Sequence, residues 1–290
     1  MKKVAIVTDT TACIPQDQVE RYKITIVPVQ LIFEDKIYRD GIDISPTEFY
    51  ALLRQASKLP TTSSSSPDSY LEAYRQASSL AASILCITGP SKFSAMLDSA
   101  QIASGMAKTA LPSADIKLLE CTTAATGQGL VALAAARAAD SGKNLNEVTE
   151  TAKSIISRVN LFATLDTLHY LAKGGRVPQA AALVNTLLKI KPIFTLNHND
   201  AQTVALPRTI PNAMKRMLKI VEQKIVKGQP LHVAVMHADA LDRAITLRNR
   251  IASQFNCTEL FITEFTPVMG VHTGPGLIGI AFYSDDQNTG

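Results

Sequence analysis

The stretch LPTTSSSSPDSY, residues 59–70, decides between two layouts of the chain. Its hydroxyl side chains run unbroken from Thr61 to Ser66, between Pro60 and Pro67. Composition alone makes this a flexible linker, since serine-rich segments bury little on folding. Position suggests instead a loop at a helix entrance, whose hydroxyls and amides cradle an anion. The flanks decide. Ser66 is a helix cap, Pro67 takes the first helical position, and Tyr70, Leu71 and Tyr74 follow at helical spacing. The same opening occurs in SPTEFYALLRQA, where Ser45 caps, Pro46 follows and Glu48 completes a capping box. There Phe49, Leu52, Leu53 and Ala56 are expected on the buried face. The hydroxyl tract is therefore expected as a strand-to-helix loop inside one domain.

Working outward, short apolar runs alternate with helical patterns. KVAIV (3–7), ITIVPVQLIF (24–33), SILCIT (83–88) and DIKLLE (115–120) read as strands covered on both faces. Asn144 caps a helix bearing Val148, Ala152, Ile155 and Ile156, and NLFATLD (160–166) follows as a strand. TLHYLAK is a short helix ending in Gly174-Gly175, the residues that suit a left-handed turn. Pro178 opens another helix through Leu188, and KPIFTLNHNDAQTVALP is a hairpin turning at Asn199-Asp200. Helix–strand pairs with LHVAVMHA and ELFITEF come next, and LIGIAFY closes the chain. The expectation is an α/β protein of two α/β domains, residues 1–157 and 158–290.

Of the 290 residues, 46 % are hydrophobic and 19 % charged. The start, MKKVAIVTDTTACIP, has too short an apolar run for a signal peptide, and no stretch reaches the roughly 18–20 apolar residues of a membrane span. Cys13, Cys86, Cys121 and Cys257 are scattered, which suits buried thiols in a reducing, cytoplasmic setting. The net charge of +4 is uneven: residues 173–227 hold ten Lys/Arg against Asp200 and Glu222. That basic region is either a solvated surface or a face for an acidic partner, phosphate or nucleic acid.

Several motifs are weaker than they look. GPGLIG (274–279) matches G-x-G-x-x-G but precedes a strand-like run, so no dinucleotide site follows. There is no Walker lysine motif, and the histidines lack metal-ligand spacing, so neither a cofactor nor a metal is expected. VMGVHTGPGLIGIA reads as a strand broken at a Gly-Pro-Gly turn, with His272 and Thr273 at the break. They either hold the turn or face a ligand. In KGGRVP, Arg176 lies beside free helix-end amides, as an anion site or as half of a structural ion pair.

TDTTACIP, LPTTSSSSP, SKFSAMLDSA, TGQG, LHYLAKGGRV, LLKIKPIF and HTGPGLIGIA occur in the order found in DegV-type bacterial proteins, and the chain resembles that family nearly end to end. The resemblance implies two α/β domains enclosing a long-chain fatty acid at their boundary. It further implies a lipid-binding subunit, not an enzyme in its own right, that presents the carboxylate to a separate ATP-binding fatty acid kinase subunit. The family's carboxylate contacts fall on Thr62 and Ser94, with Arg176 and His272 assisting; Thr61, Ser63 and Thr273 complete the expected ligand-binding set. Ala95, Met96 and Leu97 depart from the family's Gly, Thr and Tyr, which bears on the turn after Ser94. An autonomous hydrolase or phosphotransferase, and a nucleic-acid-binding regulator using residues 173–227, are the competing readings.

Overall fold

The computed structural model describes residues 3–177, 190–197 and 199–285. The first part of the chain builds a parallel sheet from β1 (Val4–Asp9), β2 (Thr25–Val27), β6 (Ser83–Thr88) and β7 (Asp115–Glu120), in the order β2-β1-β6-β7. A small antiparallel sheet, β4-β3-β5, stands beside it, from β3 (Gln30–Phe33), β4 (Lys36–Arg39) and β5 (Thr61–Ser63). The second part forms a mixed sheet of β8 (Asn160–Thr164), β9 (Ile193–Asn197), β10 (Asp200–Ala205), β11 (Leu231–His237), β12 (Cys257–Glu264) and β13 (Ile278–Ser284). Its order is β10-β9-β8-β13-β11-β12, with only β11 and β12 running parallel to their neighbour. The fold is α/β, with parallel and antiparallel sheets.

Helices α1 (Gln16–Tyr22), α2 (Pro46–Gln55), α3 (Pro67–Ser78), α4 (Met96–Ala110), α5 (Thr126–Asp140) and α6 (Leu145–Arg158) belong to the first part. α7 (His169–Lys173), α8 (Ile210–Lys224), α9 (Leu241–Gln254) and α10 (Pro267–Thr273) follow. The sequence signals for their starts hold. Ser45 with Glu48, and Asn144 with Glu147, form reciprocal capping boxes, and Ser66 accepts from the Ser69 amide. α5 is buried nearly throughout; its alanine-rich surface packs against β1 and β6 on one side and β11 and β13 on the other. Small side chains permit that double approach. The helix expected from Pro178 lies outside the described residues.

Three local expectations are corrected. ITIVPVQLIF is two strands in two different sheets, because Pro28 has no N–H for a sheet ladder and the chain turns there. Thr61–Ser63 is a short edge strand paired antiparallel with Gln30–Ile32, so the first hydroxyls belong to a sheet and only the later ones to a loop. On α2 the buried residues are Phe49, Tyr50 and Leu53, while Leu52 is exposed and Ala56 already caps the C-terminus.

Candidate functional site

The hydroxyl tract serves four structural purposes. Thr61–Ser63 completes the small sheet, the Ser64 hydroxyl accepts from the Ala95 amide (3.1 Å), Ser65 donates to the Pro28 carbonyl (2.8 Å), and Ser66 caps α3. Ser94 Oγ similarly accepts from the Met96 amide at 3.5 Å. Ala95 supplies no side-chain cap to α4, so hydroxyls from either side, one of them in a distant loop, meet amides at that helix start. A hydroxyl that accepts from a backbone amide still has its proton to give, and both hydroxyls line one cavity.

That cavity, about 420 Å³, lies between the two parts of the chain. Thr62, Ser63 and Ser94 line it from the first part, and Arg176, His272 and Thr273 from the second. Of the expected site residues only Thr61 is absent from the lining; it is exposed on β5. Val29, Phe93, Met96, Leu171, Leu196 and Met269 supply apolar wall. Arg176 is the one formally charged side chain among the described lining residues.

His272 is on α10, not at the strand break that its valine- and glycine-rich neighbourhood suggests. Pro267 begins this helix, and Gly274 ends it with φ 66°. The His272 Nε2 atom stands 3.1 Å from Thr62 Oγ1. Burial, and then the charge of Arg176, push the imidazole down to about 4, so the ring is neutral near pH 7. Its Nδ1 is buried without a partner among the described residues. Since a buried N–H donor without an acceptor is the rarer and costlier arrangement, the proton belongs on Nε2, donated to Thr62. The Thr62 O–H then points elsewhere.

Glycines fix this geometry by close approach. A Cβ on Gly174 would stand 2.9 Å from His272 Nδ1, and one on Gly274 would enter the Tyr170 ring. The left-handed turn after α7 falls on Gly175 alone (φ 69°), whereas Gly174 is helical and small for the sake of His272. Arg176 is exposed and donates to the Gly174 carbonyl (2.9 Å). The Thr273 hydroxyl donates to the Met269 carbonyl (3.0 Å), closing the last turn of its own helix.

Sequence reasoning missed Ser64, Thr11 and the apolar wall. Thr11 belongs to the TDTTACIP element. It lines the cavity and joins a buried network in which its amide (2.9 Å) and hydroxyl both donate to Asp9 Oδ1. Gln128 of the TGQG element donates to Asp9 Oδ2 at 3.1 Å and to Thr8 at 3.0 Å. Burial pushes the Asp9 carboxyl up, opposed by these hydrogen bonds. Leu196 reaches the cavity from the β9–β10 hairpin, which the first part holds through Asn199 N–H to Thr122 O (3.0 Å) and Lys92 to Asp200 (3.3 Å). No sequence motif announces it. Among the described residues no cluster of metal-ligating side chains occurs, and no helix is long and apolar enough to cross a membrane.

Among the described residues, this α/β chain sets hydroxyls, one cation and apolar walls around a cavity between its two parts. The chain belongs to the DegV family, described as a family of uncharacterised proteins, whose pattern matches residues 3–285. It is 33 % identical over 285 residues to a DegV domain-containing protein of Streptomyces coelicolor, covering 98 % of this chain and 99 % of that one. Among solved structures, the fatty-acid-binding DegV family protein of Thermus thermophilus superposes with a TM-score of 0.89 at 28 % identity, covering 98 % of this chain and 100 % of that one. The fatty acid binding protein DegV of Bacillus subtilis gives 0.88 at 26 % identity, covering 98 % and 100 %.

Proposed function

We propose that this protein is a cytoplasmic fatty-acid carrier: it binds a long-chain fatty acid in the inter-part cavity and presents the carboxylate to a separate ATP-dependent kinase subunit. Residues 1–157 and 158–290 act as the two walls. The observation that carries the reading is the cavity lining: apolar side chains around it, hydroxyl donors at Thr62, Ser64 and Ser94, and one cation, Arg176. A carboxylate taken out of water needs such donors, since leaving it unpaired costs several kcal/mol. Hydroxyls meet that need without a full opposite charge, so the ligand can leave again. The fatty-acid-binding relatives of the same fold support the chemistry.

In the kinase reaction a carboxylate oxygen attacks the γ-phosphorus of ATP, the new P–O bond forms, and ADP leaves. Arg176 offsets charge spreading over the transferred phosphoryl group, and His272 orients the carboxylate through Thr62. A self-sufficient hydrolase at this cavity is disfavoured by His272 Nδ1, which among the described residues has no acidic partner to complete a nucleophile–histidine–acid relay. The deciding experiment is mass spectrometry of the gently purified protein before and after denaturation. About one acyl chain per protein is expected. Empty protein that also refuses added fatty acid overturns the reading.

A further inference from the structure

Asp40 is fully buried at the end of β4, on the side of the first part that meets α10. Its amide donates to the Val29 carbonyl (2.9 Å), so its backbone is fixed by a cavity-lining residue. The carboxylate faces the Thr10 hydroxyl and, across the boundary, the Thr266 hydroxyl and Val268 amide at the start of α10. Thr10 Oγ1 already accepts from the Val29 amide (3.2 Å), which leaves its proton for Asp40. These donors lie near enough to favour the charged carboxylate, yet neither Asp40 oxygen nor Thr266 Oγ1 closes a hydrogen bond of normal geometry. The contact is therefore partly satisfied and sensitive to small movements.

The far end of α10 carries His272, six residues beyond Thr266, or about 9 Å along a helix. Between them Gly270 is pressed on α2: a Cβ there would stand 2.6 Å from Phe49 Cε1 and 2.8 Å from Tyr50 Oη. Tyr50 also donates to the Phe265 carbonyl at 3.3 Å. A short helix pinned in the middle can only pivot, so whatever holds its first residues sets where its last ones point. We propose that Asp40 is a positioning residue of the carboxylate site, holding Thr266 and Val268 so that α10 keeps the His272 ring against Thr62. Its bearing on ligand affinity rests on the fatty-acid reading above.

The ionisable groups facing Asp40 are Asp9 at the end of β1, Cys13 after the following turn, and Tyr50 on α2; none is basic. Burial pushes Cys13 and Tyr50 up, leaving both neutral, and pushes Asp40 up to about 6. The contact therefore weakens on protonation in a range where His272 itself, at about 4, does not titrate.

The test follows the His272 ring nitrogens by NMR in delipidated full-length protein from pH 5 to 8, with His272→Gln for assignment. A step near pH 6 is expected in the wild type. It should vanish in Asp40→Asn and shrink in Thr266→Val. At pH 7.5 each variant should bind palmitate about five- to tenfold more weakly, and the double variant no worse than the weaker single, as residues in one contact behave. A flat His272 signal in the wild type overturns the proposal. So does a step that survives Asp40→Asn, which would assign it to Asp9, and so does unchanged palmitate affinity. Should Asp40→Asn fail to fold, Thr266→Val carries the same comparison. A wild type that shows the step but binds no palmitate would sink the carrier function while leaving Asp40's hold on His272 intact.

Discussion

Thr62 Oγ1 and His272 Nε2, 210 residues apart in sequence, meet at 3.1 Å across the boundary between the two parts of the chain. The pair joins a strand of one sheet to a helix that follows a strand of another. With the imidazole proton on the threonine oxygen, Thr62 keeps its own proton for another acceptor.

Thr62→Ala should therefore weaken fatty-acid binding by about 1–3 kcal/mol, the usual worth of a hydrogen bond to a charged group. Thr62→Ser should restore most of it, and Ser94→Ala should lose a similar amount. Titration with a fluorescent fatty acid measures the effect, and circular dichroism should be unchanged. Full affinity in Thr62→Ala would place the carboxylate elsewhere.

Arg176→Ala and His272→Ala should keep fatty acid within about tenfold of wild type, or 1.4 kcal/mol. With a kinase subunit and ATP, acyl phosphate formation should fall on the order of a hundredfold. Affinity and rate are measured on the same preparations. Equal loss of both would mean that these residues simply hold the ligand.

Gly174→Ala tests the close approach at His272 without straining the backbone, because Gly174 is helical (φ −67°). The added methyl must displace the imidazole or the Tyr170 carbonyl, which lies 3.1 Å from its position. Overpacking of this kind costs about 1–3 kcal/mol. Acyl phosphate formation should drop more than fatty-acid retention. Wild-type rates in this variant would remove the steric role assigned to Gly174.

Asp40 and His272 should give stability-versus-pH slopes of opposite sign in one window. The Asp40 carboxyl is raised from 3.8 to about 6, so the folded state binds its proton more tightly than the unfolded chain. Its stabilisation is present at low pH and is lost as pH rises from about 4 to 6. His272 is lowered from 6.5 to about 4, so its share is present above pH 6.5 and is lost as pH falls towards 4. Each amounts to roughly 3 kcal/mol at most, and together they nearly cancel. Across pH 4–6.5, denaturant melts of Asp40→Asn should gain stability with pH more steeply than wild type, and those of His272→Gln should lose it. Parallel profiles for all three proteins would refute both assignments.

Much of the fold was legible because its signals are local. Ser45 with Glu48 and Asn144 with Glu147 form their boxes from residues three apart, and the Ser66-Pro67 entrance needs nothing distant. The misreadings arise where tertiary contacts decide. Val268 and Val271 favour a strand by propensity, but Gly270 lets α10 press onto Phe49 and Tyr50, and the helix wins. Tyr50 replaces Leu52 on the buried face for the same reason. The hydroxyl loop and the motifs around Arg176 and His272 marked the polar end of the cavity. Leu196 and Leu171 carry no signal, because an apolar wall residue looks like any other core leucine.

Helix α5 has one further consequence. Its Ala132, Ala135 and Ala136 are fully buried between the parallel and mixed sheets, so the two parts share a single seam and neither keeps a complete core without it. Heating should then give one cooperative transition, with far-ultraviolet signal and bound-lipid release coinciding only if the ligand waits for unfolding. A clamshell motion would have to break this shared seam. On the fatty-acid reading, lipid exchange should then outpace by orders of magnitude the hydrogen exchange of α5 amides.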